Sequence, residues 1–303
     1  MIPKKTKVGL IIFFALIFIV AATLITLAND TDPAYPEFDG EIALSHIEVQ
    51  LLLGPRTPGS PGHEQIITWL HSELAGQGWY VELQKTEYYG QKITNLIARR
   101  GSADHDRPWY LLGAHYDTRF FADNDPNPDN HTLPVPGAND GASGVAVLLE
   151  LARTIPEDYP GEIWLVFFDA EDNGRIEGWD WILGSRAFVD KLESQPDAAI
   201  IVDMIADSDL NIYLERNSNV VIAAEIWEQA AMLGYQDYFI PEYKYSILDD
   251  HTAFLQAGIP AVDIIDFDYP FWHTREDTID KVSADSLQIV GDTLLAWLQS
   301  KRE

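Results

Sequence analysis

Apolar and polar positions change their period several times along this chain, and each change marks an element. Apolar residues recur at helical spacing through 42–53 and again through 63–75. Between them Arg56-Thr57-Pro58-Gly59-Ser60-Pro61-Gly62 reads as a rigid, turn-rich loop. Strand-like runs follow at 79–83, 93–98 and 109–114. The pattern then alternates: a helix over 141–154, a buried strand over 162–168, a helix over 185–193 after a Gly-rich loop, and a strand over 198–203. Helices at 219–233 and 250–257, a strand at 260–265 and a last helix at 283–299 complete the chain. Apolar strands alternating with helices predict an α/β fold, a mostly parallel mixed sheet flanked by helices on both faces. The Asp/Asn/Pro-rich segment at 122–136 is compatible with a solvated loop, a lid or a calcium loop.

The first residues change the picture from a free domain to a tethered one. Lys4, Lys5 and Lys7 precede an uncharged apolar run at 8–28, and about 20 such residues span a bilayer core. Lysines ahead of the run stay in the cytoplasm, so 1–28 is expected to be a single membrane anchor, 29–40 a polar linker, and 41–303 an extracytoplasmic catalytic domain. The alternative is a signal peptide cut after Thr26-Leu27-Ala28, although the run exceeds the usual ~7–15-residue signal core. Either reading exports the domain.

Charge and cysteine usage narrow the partners. Against 20 basic residues stand 48 acidic ones, a formal net charge of −28, and the summed field repels phosphate backbones, which argues against nucleic acid. The same field tolerates a cationic ligand such as a peptide amino terminus. No obligate protein partner is expected. The chain has no cysteine, which excludes disulfides, thiolate metal sites and a cysteine nucleophile. Any metal must be held by histidines and carboxylates.

Such side chains stand where the predicted strands end. His115 follows Leu111-Leu112-Gly113-Ala114, Glu171 and Asp172 follow the Phe167-Phe168 strand, Asp203 follows Ile200-Ile201-Val202, and His273 lies a short loop beyond Ile264-Ile265. Asp140 opens the helix at 141–154; an aspartate there is ordinarily an N-cap. In doubly wound sheets ligands bind at the carboxyl edge of the strands, where all of these fall. Charged groups at the ends of strongly apolar strands must be solvated, paired or metal-bound. Two histidines and three carboxylates make a suitable shell for zinc without thiolates, including a paired-metal site bridged by one carboxylate.

The strings that carry these residues are Gly113-Ala114-His115-Tyr116-Asp117, Gly137-Ala138-Asn139-Asp140-Gly141-Ala142-Ser143-Gly144, Phe167-Phe168-Asp169-Ala170-Glu171-Asp172, Gly184-Ser185-Arg186, Val202-Asp203-Met204 and Trp272-His273-Thr274. In this order they resemble the zinc exopeptidase superfamily, which holds the leucyl-type aminopeptidases and the glutaminyl cyclases. The resemblance implies an enzyme acting on peptide N-termini, with Asp140, Asp172 and His273 around one zinc and Glu171 as general acid/base. Its aminopeptidase branch implies a second zinc on His115 and Asp203, with Asp140 bridging; its cyclase branch implies one zinc. Asp172 stands where many relatives have glutamate.

Resemblance to the cyclase branch is carried by residues 56–62, by His115-Tyr116-Asp117-Thr118-Arg119-Phe120-Phe121, by Asp249-Asp250-His251 and by Trp272 ahead of His273. It implies a glutaminyl-peptide cyclotransferase in which Asp250 hydrogen-bonds near the proton shuttle of Glu171, and Trp272, Trp179, Trp181, Tyr269 and Phe271 line the substrate pocket. Resemblance to the peptidase branch is carried by residues 275–282 and by the string around Asp140, and implies hydrolysis of the first peptide bond.

Overall fold

The computed structural model describes residues 36–101 and 107–302. The expected anchor at 8–28 lies outside the described residues; no helix among these is long and apolar enough to cross a membrane. Residues 37–40, read from the sequence as linker, join the packed unit. Phe38 is buried against Gly291, where an added Cβ would lie 2.3 Å from its ring. Asp39 caps α1 (Gly40–Leu52) by accepting the amides of Glu41 and Ile42. Ser60 caps α2 (Pro61–Gly76) with Pro61 in the first turn, where a missing N–H costs nothing.

A hairpin opens the sheet. β1 (Tyr80–Tyr88) and β2 (Gln91–Gly101) pair antiparallel across Tyr89 and Gly90, both at positive φ, the two-residue turn whose twist matches that of the strands. The remaining core strands are β3 (Trp109–His115), β4 (Glu162–Phe168) and β5 (Ala198–Asp203), followed after a short outlying parallel pair, β6 (Ile212–Leu214) and β7 (Phe239–Tyr243), by β8 (Ala261–Ile265). The order is β1-β2-β4-β3-β5-β8, with β4, β3, β5 and β8 mutually parallel, so their carboxyl ends share one edge.

Both faces of this sheet are covered, which is why its strands read as continuous apolar runs. On one face Leu111, Val166, Phe168, Ala199 and Ile201 pack with Phe188 of α4 (Leu183–Val189) and Phe254 of α6 (His251–Gln256). α3 (Ala142–Thr154) and α7 (Ala284–Ser300) cover the other, with α1 packed on both, and Tyr110 meets Trp297 edge-on at 5.3 Å. Each of the leucine, valine, isoleucine and phenylalanine side chains among these contributes about 1.5–3 kcal/mol by leaving water. α5 (Val220–Met232) packs on α7 and β7.

Three expectations shift. The strand read at 79–83 runs on to Tyr88 as a hairpin arm; the helix read at 185–193 is the seven residues Leu183–Val189; and β6 and β7 were not foreseen. Those last two are short and each has a single buried residue, so they carry no readable alternation. The loop at 122–136 is stapled by Asp125, which accepts from Asn127 N, Asn130 Nδ2 and Arg275 N at 2.8–3.0 Å. Its carboxylate is spent on the protein itself.

Candidate functional site

Strand ends deliver the site. His115 and Asp203 are the last residues of β3 and β5, Glu171 and Asp172 follow β4, His273 follows β8, and Asp140 stands just ahead of α3. His115 Nε2 lies 3.1 Å from Asp203 Oδ1 and 3.2 Å from Asp140 Oδ1. His273 Nε2 lies 2.7 Å from Asp172 Oδ1 and 3.7 Å from Asp140 Oδ2. Asp140 thus turns one oxygen to each histidine and belongs to two trios, each able to hold a metal ion. It does not cap its helix: the N-cap is Gly141, at φ +91°, with no side-chain bond. That glycine is required, because a Cβ there would sit 2.8 Å from the Asp117 carbonyl and 3.2 Å from the His115 ring.

The donor set fits a cation. Asp140 Oδ2 and Asp172 Oδ2 are buried without a hydrogen-bond partner, a costly state for an acceptor unless an ion or proton meets it. Burial, reinforced by Asp140, raises Asp172 to about 6; burial, against the pull of His115, raises Asp203 to about 7. Asp140 instead stays below the usual carboxylate range, because His115 and His273 outweigh its burial. Burial would lower His115, but Asp203, Asp117 and Asp140 push it well above the ordinary imidazole value. These protons are what a bound metal would displace. One histidine and two carboxylates per trio are three ligands of kinds that zinc takes, the number a catalytic zinc site draws from the protein.

A surrounding layer fixes these ligands. Asp117 accepts the amides of Glu171 at 3.0 Å and Asp172 at 3.4 Å and the Asn173 Nδ2 group at 3.1 Å, and His115 Nδ1 lies 3.5 Å away. Asp277 accepts from the amides of Asn139 and Asp140 and from the Tyr269 hydroxyl, at 2.8, 3.2 and 2.7 Å. Arg119 donates to the carbonyls of Asp172 and Gly174 and pairs with Asp123. Fully buried Arg56 donates to the carbonyls of Tyr116, Pro136 and Gly137, so the loop at 56–62 clamps the segments that carry His115 and Asp140. Burial pulls this guanidinium down to about 10. Ala170, Met204 and His273 all have positive φ beside or at the site, conformations that cost about 1–3 kcal/mol each and gather where function over-determines the backbone.

Above the trios lies a cavity of about 250 Å³. Trp181 and Trp272 wall it and flank His273, with ring centroids 6.1 and 3.8 Å from the imidazole. Ile247, Phe267 and the carboxyls of Glu171, Asp203 and Asp249 complete the wall. The other aromatic expectations are corrected. Trp179 packs on Phe120 and on the Ile93–Leu183 cluster, Tyr269 is buried on Asp277, and Phe271 lies against Tyr269 and Lys281; none lines the cavity. Asp250 is buried beside Ser185 and within electrostatic reach of Glu171, while its neighbour Asp249 lines the cavity. Behind Asp249 stand His251 and Asp263, completing a third buried cluster, with Glu215 3.4 Å from His251.

Sequence reading passed over Asp117, Asp277, Asp249, Arg119 and Arg56 as site-builders. Asp249 left its signal as half of an acidic doublet; the others stood within the quoted strings, but their work on backbone groups remote in the chain is not written in the sequence.

A sheet edge bearing two histidine–carboxylate trios that share an aspartate defines an enzyme of the zinc exopeptidase kind. The chain belongs to peptidase family M28, whose sequence profile matches residues 95–298. It is similar to a Zn-dependent exopeptidase from Parabacteroides distasonis, at 31% identity and TM-score 0.81 over 88% of this chain and 99% of that one. A glutaminyl cyclase from Tannerella forsythia is 33% identical, with TM-score 0.80 over 87% and 99% of the two chains. The glutaminyl-peptide cyclotransferase of Boiga irregularis is 27% identical over 284 residues, 78% of this chain and 75% of its own length. Family and neighbours support zinc as the metal.

Proposed function

We propose that this enzyme is a zinc-dependent glutaminyl-peptide cyclotransferase, closing an N-terminal glutamine into pyroglutamate with release of ammonia. The cavity carries the reading: about 250 Å³ between two indoles, with Asp140 and Asp172 of one trio and the carboxyl groups of Glu171, Asp203 and Asp249 at its wall. That lies below the usual range of ligand pockets and suits one side chain folded back toward its own α-amine. Asp140, Asp172 and His273 would hold zinc, which supplies a Lewis acid for the γ-carbonyl of the substrate. Glu171 accepts a proton from the α-amine as its nitrogen bonds to the γ-carbonyl carbon. It returns the proton to the amide nitrogen as that C–N bond breaks and ammonia leaves, and no water is consumed. Burial, with Asp249 and Asp172 adding to it against the pull of His115, raises the Glu171 carboxyl in the metal-free protein.

The second trio, His115, Asp140 and Asp203, favours an aminopeptidase as the alternative, with two zinc ions and Glu171 activating a water molecule. Incubation with Gln-Phe and with leucyl anilide, with and without a zinc chelator, separates the two. Cyclised product without free amino acid supports the cyclase; released leucine overturns it; chelator-resistant turnover removes the metal from either. We also propose that the domain works outside the cytoplasm on a single N-terminal anchor, a reading supported by the lysine-led apolar run at 8–28. Loss of the domain when intact cells are treated with external protease is the expected result.

A further inference from the structure

The cavity is anionic at depth and carries one cation at its rim. Asp140, Glu171, Asp172, Asp203 and Asp249 line it, and Arg175 is the single basic residue among the lining groups. Other arginines near the site are committed: Arg119 to Asp123 and two carbonyls, Arg186 to Asp180 at 3.0 Å, Arg56 to three carbonyls. Arg175 is exposed, and among the described residues its side chain has neither a hydrogen bond nor an ion pair. Its backbone holds φ at +63°, a left-handed conformation that an arginine rarely adopts. The turn is pinned from both sides, by Arg119 on the carbonyl of Gly174 and by the amide of Ile176 on the carbonyl of Asn173. A strained, pinned turn thus presents a free guanidinium at the cavity mouth, facing the rim segment that bears Tyr245 and Ser246.

We propose that Arg175 forms an anion-binding subsite that reads the residue after the substrate's N-terminal one, favouring a carboxylate there. The proposal deepens the cyclase reading and rests on it for the identity of the first residue. The cavity takes one side chain, so the next residue, about 3.3–3.6 Å further along an extended chain, must lie at the mouth where Arg175 stands. A guanidinium matches a carboxylate in a bidentate fork. The enzyme's net charge of −28 opposes any anionic peptide at long range, but at physiological salt that field is screened beyond about 8 Å, and the local arginine decides. The carboxylate can come from an acidic second side chain or from the C-terminus of a dipeptide.

The test compares kcat/KM for Gln-Glu-amide, Gln-Gln-amide, Gln-Ala-amide and free Gln-Ala in the zinc-loaded wild type, Arg175→Gln and Arg175→Lys. Wild type is expected to prefer Gln-Glu-amide over Gln-Gln-amide by roughly two- to fivefold, through KM, as for a partly exposed charge pair. The ratio should fall to one or below in Arg175→Gln and recover in part in Arg175→Lys. A like preference for free Gln-Ala over its amide assigns the subsite to the C-terminal carboxylate as well. Equal ratios in wild type and Arg175→Gln overturn the proposal. If no glutaminyl substrate is cyclised while leucyl peptides are hydrolysed, the cyclase reading falls alone, and Leu-Glu-amide against Leu-Gln-amide in the same variants decides the subsite. If neither class turns over, calorimetric binding of the same amides to the zinc-loaded protein makes the comparison.

Discussion

In the proposed mechanism Asp140 holds a metal and Glu171 moves a proton. Asp140 has its two oxygens 3.2 Å from His115 and 3.7 Å from His273, so no substitution that removes one oxygen leaves both trios intact. Glu171 lies in the cavity wall and outside both trios. Glu171→Gln is therefore expected to cost at least ~10²-fold in kcat with the metal retained, whereas Asp140→Asn should lose metal and activity together. Kinetics with elemental analysis on the same preparations tests this, and full activity in Glu171→Gln would remove it from the mechanism. The ligand candidates were legible because a charged residue directly after an apolar strand has few ordinary explanations. Asp249 and Asp250 were not separable, since adjacent acids at a helix start diverge only once the helix is oriented. Nor could composition say which aromatic of Trp179, Trp181, Tyr269, Phe271 and Trp272 faces the cavity, because each of them is equally at home in packing.

Among the elements, α3 decides where Asp140 stands. Its Gly144 rides on the sheet so closely that a Cβ would lie 2.4 Å from the Val202 carbonyl oxygen and 2.8 Å from the Ala114 Cβ. Backbone cannot yield as a flexible side chain can, so Gly144→Ala must lift the start of the helix. We expect a loss of about 1–3 kcal/mol, the usual range for overpacking, and weaker metal binding because Asp140 moves with the helix. Thermal unfolding and a zinc titration read the two effects; an unchanged metal affinity would show that Asp140 is placed independently of α3. The sequence made α3, the four parallel strands and their order in the chain legible through period and length. It hid the antiparallel hairpin arm beyond residue 83, whose residues are half exposed on both faces, and the helix–sheet distance, which depends on a glycine that reads only as a weak helix former.

For the whole molecule, the parallel edge gathers carboxylates that are unfavourable together without a cation, and stability should therefore be linked to metal and to pH. In the metal-free protein Asp172 is raised to about 6 and Asp203 and Asp277 to about 7, burial being the main cause in each. Their unfolded values lie near 3.9, so between there and 7 the folded state binds more protons than the unfolded chain. The stability these groups contribute is present in full below the unfolded value and is lost as pH rises through about 6 to 7. A bound metal replaces the protons of Asp172 and Asp203, and its affinity falls as pH falls because the ligands must be deprotonated. The chelated protein should consequently lose stability from about pH 4 to pH 7 and little beyond, while the metal-loaded protein holds its own near neutrality. Metal at 100 times its Kd adds about 2.7 kcal/mol, so the gap in melting temperature between the two forms should be widest at pH 8 and narrow towards pH 6. A gap that stays constant over that interval would mean the buried carboxyls do not share their protons with a metal site, and the cluster would then be a structural network alone.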